Sequence, residues 1–166
     1  MRREIFDQEH EVFREQVRRF VREKVEPLLP KWNEAGMSDR ATWKRAGEQG
    51  LLGVNLPEAY GGADAGFLYS VIVMEELTYA RAHGLDTGLH ADVCVPYLNS
   101  YGSEEQKQRY LAGTIAGEVL MGICMTEPGT GSDLANIQTT ALRDGDHYVL
   151  NGSKTFISNG QIGDLY

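Results

Sequence analysis

The sequence predicts an α+β protein, in which an all-α helical bundle is followed by the start of an antiparallel, β-barrel-like domain. Two observations predict this order. Up to Gly117, apolar residues recur at steps of three and four, as they do on the buried faces of helices. From Glu118 onward, short apolar runs are separated by Asp-Gly and Asn-Gly pairs, which are the strongest local signals for β-hairpins. We therefore expect a helical domain at residues 1–117 and a partial β-domain at residues 118–166.

Composition narrows the class of protein. The chain has 166 residues, of which 42% are hydrophobic and 24% charged, so it can bury a core and has the balance of a globular protein. Its net charge is -8 and its basic residues are interleaved with acids, which disfavours nucleic acid as a partner. Cys94 and Cys124 have no metal-type spacing to the histidines, so we expect no metal site and interpret both as small buried apolar residues.

The sequence also predicts where the protein resides. Apolar runs such as residues 71–74 are far too short to span a bilayer, so we expect no membrane segment. The start, Met1-Arg2-Arg3-Glu4, leads into a mixed-charge segment with no apolar stretch behind it, which argues against a secretory signal. The acids in that segment argue against a transit peptide, and we expect a cytoplasmic protein.

The first helix is predicted at residues 4–29, where the apolar spacing is most regular. Glu15 and Arg19 are expected to pair on the opposite face of this helix. Pro27 and Pro30 are expected to end it, because proline disrupts a helix interior.

Two further helices are predicted in the middle of the chain. Ser38 is expected to cap a helix at residues 39–49, and the glycine-containing loop at residues 56–62 then needs unusual backbone angles. The next helix, at residues 67–80, carries the pair Glu75-Glu76. We interpret this pair as a solvated or helix-terminal face and assign it no chemistry.

A stripe of apolar residues follows these helices. Leu85, Leu89 and Val93 lie at steps of four, which fits either an apolar tunnel with Leu85 and Leu89 as substrate contacts, or plain core. The lone His90 beside the stripe is expected to have a structural role. A last short helix is predicted to open at Ser103–Gln106, whose sequence is that of a capping box.

Four short strands are expected after the helices, at residues 119–126, 138–143, 147–150 and 155–158. A sheet of these strands has open edges and a half-covered face, so we expect the β-domain to be truncated at Tyr166.

The first of these strands opens into a loop at residues 127–133, whose proline and glycines prevent it from continuing as strand or helix. Gly129 and Gly131 let a ligand come close to the main chain, and Thr126, Thr130 and Ser132 add hydroxyl groups. The loop therefore suits a cofactor that carries phosphate or a polar ring edge. The same residue types are also common in solvated turns, and composition leaves both interpretations open.

Two linked stretches, Met125–Asp133 and Asn151–Gly160, carry a resemblance to a known family. Together with the upstream stretches Leu56–Gly62 and Tyr101–Lys107, they resemble the acyl-CoA dehydrogenase family over nearly the whole chain. The resemblance implies a three-part subunit, with an N-terminal helical domain, a middle β-domain and a C-terminal four-helix domain. FAD would lie between the last two parts. The Phe-Ile-Ser-Asn-Gly form of the second stretch looks closest to the long-chain branch.

The resemblance also implies which residues bind the cofactor. Ile123, Met125 and Thr126 would meet the edge of the isoalloxazine ring. Ser132 would lie near the pyrophosphate and near the pantetheine arm of the substrate. Phe156 would pack against the flavin ring and Ser158 would hydrogen-bond near its N5 atom, although many family members have Trp and Thr at these two positions. The full implied set is Ile123, Met125, Thr126, Gly131, Ser132, Phe156, Ile157 and Ser158.

The activity implied is α,β-dehydrogenation of acyl-CoA thioesters in fatty-acid or branched-acyl catabolism, with electrons passed to an electron-transfer flavoprotein. FAD is needed because no side chain accepts a hydride. In the family the base is a glutamate of the C-terminal domain, beyond Tyr166, so we assign no catalytic residue to this chain. We expect a homo-oligomer, a homotetramer, for the complete subunit, and expect these 166 residues alone to be inactive and not to bind FAD stably. The alternatives are an acyl-CoA oxidase or a flavin monooxygenase of the same fold, and a non-catalytic assembly module.

Overall fold

The computed structural model describes residues 4–166, in which helices come first and a β-hairpin last. Met1–Arg3, on which the expectation about a secretory signal partly rests, lie outside the described residues. The regular helices are α1 (Gln8–Phe20), α2 (Leu29–Ala35), α3 (Arg40–Glu48), α4 (Phe67–Tyr79), α5 (Val95–Tyr101) and α6 (Glu104–Ile115). The strands are β1 (Thr140–Asp144) and β2 (His147–Asn151). A helical part followed by a short antiparallel sheet confirms the predicted α+β class.

The prediction of one helix over residues 4–29 is wrong at both ends. Helix α1 begins after Asp7, whose carboxylate accepts a hydrogen bond from the backbone N–H of His10. At its other end the chain continues through a π-helical turn (Val21–Val25) and a 3₁₀ turn (Glu26–Leu28) into α2. Pro27 and Pro30 do not end the helical path, because they lie in first turns, where no intrahelical N–H is required. Gly36, with φ 72°, ends it instead.

The cap of α3 also differs from the prediction. Asp39, and not Ser38, accepts the hydrogen bond from the backbone N–H of Thr42, at 3.0 Å. Ser38 is buried, and its hydroxyl accepts a hydrogen bond from the Trp43 indole at 3.0 Å. The predicted capping box at Ser103 is confirmed, since its hydroxyl accepts from the Gln106 amide and the Gln106 side chain accepts from the Ser103 amide.

Helices α1 and α4 are joined by charged side chains, among them the Glu75-Glu76 pair. Glu76 is only 4% exposed and accepts hydrogen bonds from Arg14 at 3.2 Å and from Arg18 at 2.9 Å. Arg14, 7% exposed, also donates to Glu75 at 2.7 Å. Burial lowers the pKa of the Arg14 guanidinium, but its bonds to the two glutamates more than offset this and raise the pKa overall.

The expected pair between Glu15 and Arg19 is also replaced. Glu15 contacts Arg18, at 2.6 Å, so that Arg18 joins an exposed carboxylate to the buried carboxylate of Glu76. Side chains three or four residues apart can pair on a helix surface. Glu15 pairs with the residue three positions later, whereas the sequence predicted the one four positions later. The Glu75-Glu76 pair is therefore a helix-joining element and not a solvated face.

Two hydrophobic clusters fill the helical part. The first core surrounds Trp43 and includes Val17, Leu52, Ile72 and Leu85. The second core is formed by Leu56, Cys94, Val95, Leu111, Ile115 and Met121. Leu85 lies in the first core, whereas Leu89 packs against the second, so the two leucines do not form one continuous stripe. No helix within residues 4–166 is long and apolar enough to cross a membrane.

The β part is less regular than predicted. Strands β1 and β2 pair antiparallel around Gly145, whose φ of 63° confirms the turn predicted at Asp144-Gly145. Residues 119–126 and 155–158 are not strands: the first makes only an isolated bridge, between Met121 and Leu165. A positive φ at Phe156 interrupts the second, because a left-handed residue cannot continue an extended ladder. The domain division at residues 117 and 118 stays a prediction.

Candidate functional site

The two family-like stretches lie side by side in the structure. The Thr155 amide donates to the Thr126 carbonyl at 3.0 Å, and the Asn159 side-chain amide donates to the Met121 carbonyl at 3.0 Å. At Gly122 the backbone lies close to the second stretch, because a Cβ there would lie 2.9 Å from the Ser158 carbonyl oxygen. A residue with a side chain at position 122 would push the stretches apart, so their proximity depends on this glycine.

Glu127 is the polar centre that holds the two stretches together. It is 7% exposed, and its carboxylate accepts hydrogen bonds from the backbone amides of Gln138 at 2.7 Å and Thr139 at 2.9 Å. The Lys154 ammonium lies 2.9 Å from the same carboxylate and also donates to the Met125 carbonyl at 3.2 Å. Lys154 was not among the predicted site residues, because sequence alone does not show that it faces Glu127.

The contacts of Glu127 decide its protonation state. Hydrogen bonds from Thr139, the Gln138 amide and Lys154 together lower the pKa of Glu127 from 4.5 to about 2. A carboxylate held this firmly in its ionised form is a poor proton acceptor at neutral pH. The structure therefore gives Glu127 a structural role, in agreement with its exclusion as the catalytic base.

Replacing Glu127 by Gln is expected to destabilise the chain at neutral pH, because an amide offers one acceptor atom where two backbone N–H groups and an ammonium need partners. The pKa of Glu127 in the folded state lies below 4.5, so the folded state binds fewer protons than the unfolded state between pH 4.5 and about 2. The stabilisation by Glu127 is therefore lost as pH falls through that window. Urea unfolding at a series of pH values should show the difference between wild type and variant shrinking there. The exposed Glu58→Gln is the matched control, and a constant difference down to pH 2 would contradict this role.

The loop that begins at Glu127 has features of both a turn and a ligand-binding loop, the two interpretations that its sequence allows. Residues 127–130 form a tight turn, in which the amide of each end residue donates to the carbonyl of the other, at 2.8 Å and 3.1 Å. Beyond the turn, Gly131 and Ser132 are exposed. A Cβ at Gly131 would have no described atom within 4 Å, and its φ is not positive, so neither packing nor backbone angle among residues 4–166 requires glycine there. Open space over the main chain at Gly131 fits the close approach of a ligand.

Phe156 is the most unusual of the predicted site residues. Its side chain is 93% exposed and its φ is 56°, a left-handed value that is strained for a bulky aromatic residue. Met125, 40% exposed, lies in the neighbouring stretch. A strained backbone that presents an aromatic ring to the outside fits a site for a flat apolar partner.

The remaining predicted residues differ in burial and in their neighbours. Ile123 is half-buried against the second core, and Thr126 is half-buried beside Thr155. Ile157 and Ser158 line a cleft of about 310 Å³ whose opposite wall comes from the helical part, at Met37, Ser38 and His83. The two stretches thus meet at Thr126 and Thr155, whereas Gly131 and Ser132 lie beyond the turn.

Leu85 and Leu89 are the predicted substrate contacts, and the structure separates them into the two cores. Leu85 borders a shallow cleft of about 240 Å³ together with Met74 and Leu77. Packing in the cores accounts for both leucines, and their contact with a substrate stays a prediction.

His90 fixes the start of the first stretch to the helices, as the expected structural role requires. It is fully buried, its Nδ1 accepts a hydrogen bond from the Met121 amide at 3.1 Å, and its Nε2 donates to the Thr114 carbonyl at 3.0 Å. Because an amide only donates and a carbonyl only accepts, these contacts select the neutral tautomer with the proton on Nε2. Burial lowers the pKa of His90, although the Thr114 carbonyl opposes this.

The cysteines differ from each other. Cys94 is buried, as predicted, and burial raises the pKa of its thiol to about 11. Cys124 is only half-buried, because it lines a cleft with Lys154, Ile157 and Tyr166. Within residues 4–166 no group of three or more His, Cys, Asp or Glu side chains could hold a metal ion.

Sequence profiles identify the family. The profile of the acyl-CoA dehydrogenase N-terminal domain matches residues 7–118, and that of the acyl-CoA dehydrogenase middle domain matches residues 122–166. The chain belongs to the acyl-CoA dehydrogenase family.

Individual relatives agree with this assignment. The chain is 45% identical over 163 residues to the mitochondrial long-chain specific acyl-CoA dehydrogenase of Sus scrofa, covering 98% of this chain and 38% of that protein. Among solved structures, an acyl-CoA dehydrogenase from Geobacillus kaustophilus matches with TM-score 0.94 and 45% identity, over 98% of this chain and 43% of that one. A glutaryl-CoA dehydrogenase from Mycobacterium smegmatis in complex with FADH2 matches with TM-score 0.89 and 31% identity, over 96% and 41%. The chain thus spans about two fifths of the length of these relatives.

Proposed function

We propose that this chain is the N-terminal portion of an FAD-dependent acyl-CoA dehydrogenase, and that residues 121–127 and 154–159 form one wall of its flavin site. The observation that carries the proposal is Phe156, which lies in one of the two paired stretches. Its side chain is exposed and its backbone is strained. The FADH2 complex of the related glutaryl-CoA dehydrogenase supports the choice of cofactor.

The residues present fit such a cofactor. Phe156 would hold the flat ring by stacking, with the half-buried Ile123 and Ile157 and the exposed Met125 adding apolar contact. The hydroxyl groups of Thr126 and Ser158 would hydrogen-bond the polar edge. Gly131 and Ser132, beyond the turn, would approach the pyrophosphate, since the space over the Gly131 backbone is open. Lys154 and Glu127 neutralise each other and would hold these groups in place.

When bound, FAD would supply the two-electron acceptor that no side chain provides. The part of this chain is binding and orientation. Ser158 presents its hydroxyl in a cleft and Phe156 presents its ring outward. The α-proton of the thioester needs a base. Glu127 and Glu76 are both committed to structural contacts, and we propose, as the family resemblance implies, that the base is a glutamate beyond Tyr166.

For the substrate we propose a long-chain acyl-CoA, because the long-chain enzyme of Sus scrofa is 45% identical. Leu85 and Leu89 remain proposed contacts for the acyl chain, and Ser132 for the pantetheine arm.

We also propose an electron-transfer flavoprotein as the electron acceptor, a homotetramer as the assembly and the cytoplasm as the location. Fractionation of the source cells tests the location, since the pig relative is named as mitochondrial.

A chimera tests the flavin site directly. In it, residues 4–166 replace the matching 43% of the Geobacillus kaustophilus acyl-CoA dehydrogenase. The chimera is expected to purify with about one FAD per chain, whereas the 166-residue chain alone should lose FAD on gel filtration, because it holds only one wall of the site. Phe156→Ala in the chimera removes the stacking ring and is expected to weaken FAD binding about tenfold or more. Leu142→Ala, an exposed apolar change on β1, is the matched control. Equal FAD affinity for both variants would contradict the proposed site.

A further inference from the structure

Arg40, in the first turn of α3, makes three contacts with the part of the chain that follows the helices. Its guanidinium donates to the Ile162 carbonyl at 2.6 Å, to the Glu118 carbonyl at 2.6 Å and to the Asp164 carboxylate at 2.8 Å. These acceptors lie 78 to 124 residues away in sequence. One side chain of the helical part therefore reaches two separate segments of the β part.

Asp164 completes the arrangement. The same carboxylate oxygen that contacts Arg40 accepts a hydrogen bond from the Leu120 amide at 2.8 Å, and the Asp164 amide donates to the Leu120 carbonyl at 2.8 Å. Partial burial raises the pKa of Asp164, but the bonds from Arg40 and the Leu120 amide outweigh it and lower the pKa overall. The carboxylate is thus ionised where it meets Arg40, and the Arg40–Asp164 clasp joins α3 to residues 118–120 and 162–164.

The clasp lies at the end of the loop that carries the proposed flavin contacts. Successive turns connect the loop to it, since the Gly160 amide donates to the Ile157 carbonyl at 2.9 Å and the Ile162 amide donates to the Asn159 carbonyl at 3.0 Å. Residues 157–162 also form one wall of the cleft whose opposite wall includes Met37 and Ser38, directly before α3. Moving Ile162 away from Arg40 would open this cleft and displace Ser158.

Arginine suits this position better than lysine. The planar guanidinium offers donors in a fixed fork, and Arg40 uses two of its nitrogens to reach three oxygens in different directions. A lysine ammonium is a compact point charge with a different geometry, so it cannot satisfy all three acceptors at these distances.

We infer that Arg40 is a positioning residue, which with Asp164 fixes the loop 157–162 and thereby the place of Ser158 and Phe156 at the proposed flavin site. The inference about the flavin rests on the proposed function, whereas the clasp itself is tested without any cofactor.

Amide hydrogen exchange on the 166-residue chain is the test. Arg40→Gln is expected to speed exchange of the Asp164 and Leu165 amides at least tenfold, because both are bonded across the clasp to Leu120. Amides in the middle of α4 should be unchanged. Lys44→Gln is the matched control, since Lys44 lies one turn further along α3 and its ammonium pairs with the Glu118 carboxylate, at 3.2 Å. Asp164→Asn is a second, milder variant, which removes the charge and keeps an acceptor for Leu120.

In the chimera, Arg40→Gln is expected to shift the midpoint potential and visible spectrum of bound flavin and to lower kcat more than it raises KM, with Arg40→Lys intermediate. Unchanged exchange in both Arg40→Gln and Asp164→Asn, or an equal change in Lys44→Gln, would overturn the clasp. Altered exchange with an unaltered flavin potential and spectrum would overturn the positioning role. Failure of the wild-type chimera to bind FAD would instead count against the proposed function, so the two are distinguishable.

Discussion

Replacing Glu76 by Ala is expected to lower the free energy of unfolding by about 3 kcal/mol. Glu76 is buried between α1 and α4, and it accepts hydrogen bonds from Arg14 and Arg18. Removing one partner of a buried ion pair typically costs about 3–5 kcal/mol, because the other charge stays buried without compensation. The lower end of that range applies here, since Glu75 still contacts Arg14 at 2.7 Å.

Glu15→Ala is the matched control for Glu76→Ala. Both glutamates contact Arg18, but Glu15 is on the surface, where an ion pair contributes about 1 kcal/mol or less. Urea unfolding followed by tryptophan fluorescence measures both changes, because Trp32 and Trp43 are buried in the first core. Equal effects of the two substitutions would show that burial of Glu76 does not matter, contrary to the structure.

The second large effect is expected at His90. His90→Leu leaves the buried Met121 amide without its acceptor and removes one hydrogen bond from the Thr114 carbonyl, which still receives the Gly117 amide at 3.2 Å. An unsatisfied buried donor costs about 1–3 kcal/mol and a lost hydrogen bond about 1 kcal/mol, so we expect a loss of about 2–4 kcal/mol. His83→Leu, at an exposed histidine, is the control and should change the free energy of unfolding by less than about 0.5 kcal/mol.

His90 also predicts a pH dependence. Its folded pKa lies below 6.5, so the unfolded state binds more protons as pH falls below 6.5 and stability declines with falling pH there. The leucine variant lacks this titration, so its unfolding free energy should fall less steeply between pH 6.5 and 5 than that of wild type. A variant curve parallel to the wild-type curve in this window would contradict a buried neutral His90.

Sequence reasoning worked best where the signal is local. The capping box at Ser103, the hairpin turn at Gly145 and the helix of residues 67–80 each depend on residues within a few positions of one another, and the structure confirms all three. The structural role of His90 was predicted because a lone histidine is seldom a ligand. Its two hydrogen-bond partners, Thr114 and Met121, were not predicted.

The errors arose where a distant partner decides the structure. The sequence around Glu76 indicates a surface residue, because its partners Arg14 and Arg18 lie about 60 residues earlier in the chain. Residues 119–126 have the composition of a strand, but a strand needs a neighbour along its length, and within residues 4–166 Met121 pairs with Leu165 alone in a bridge. Phe156 was predicted within the strand 155–158, because this short run lies between two Asn-Gly pairs, whereas its backbone is left-handed.

The candidate site was predictable in part. The two stretches were identified by their motifs, and the structure places them in contact through Thr126 and Thr155. The ion pair between Glu127 and Lys154 was not predicted, because opposite charges 27 residues apart give no sign of their proximity. Arg40 was missed for the same reason, since its acceptors are mostly backbone carbonyls, which no sequence pattern reveals.

The most direct test of the flavin dehydrogenase proposal is an anaerobic titration of the FAD-loaded chimera with palmitoyl-CoA and octanoyl-CoA, followed by the visible absorbance of the flavin. We expect both thioesters to bleach the flavin band, and palmitoyl-CoA to do so at lower concentration, as a long-chain preference requires. A flavin band that neither acyl-CoA bleaches, in a chimera that retains FAD, would contradict the proposal that this chain forms one wall of an acyl-CoA dehydrogenase site.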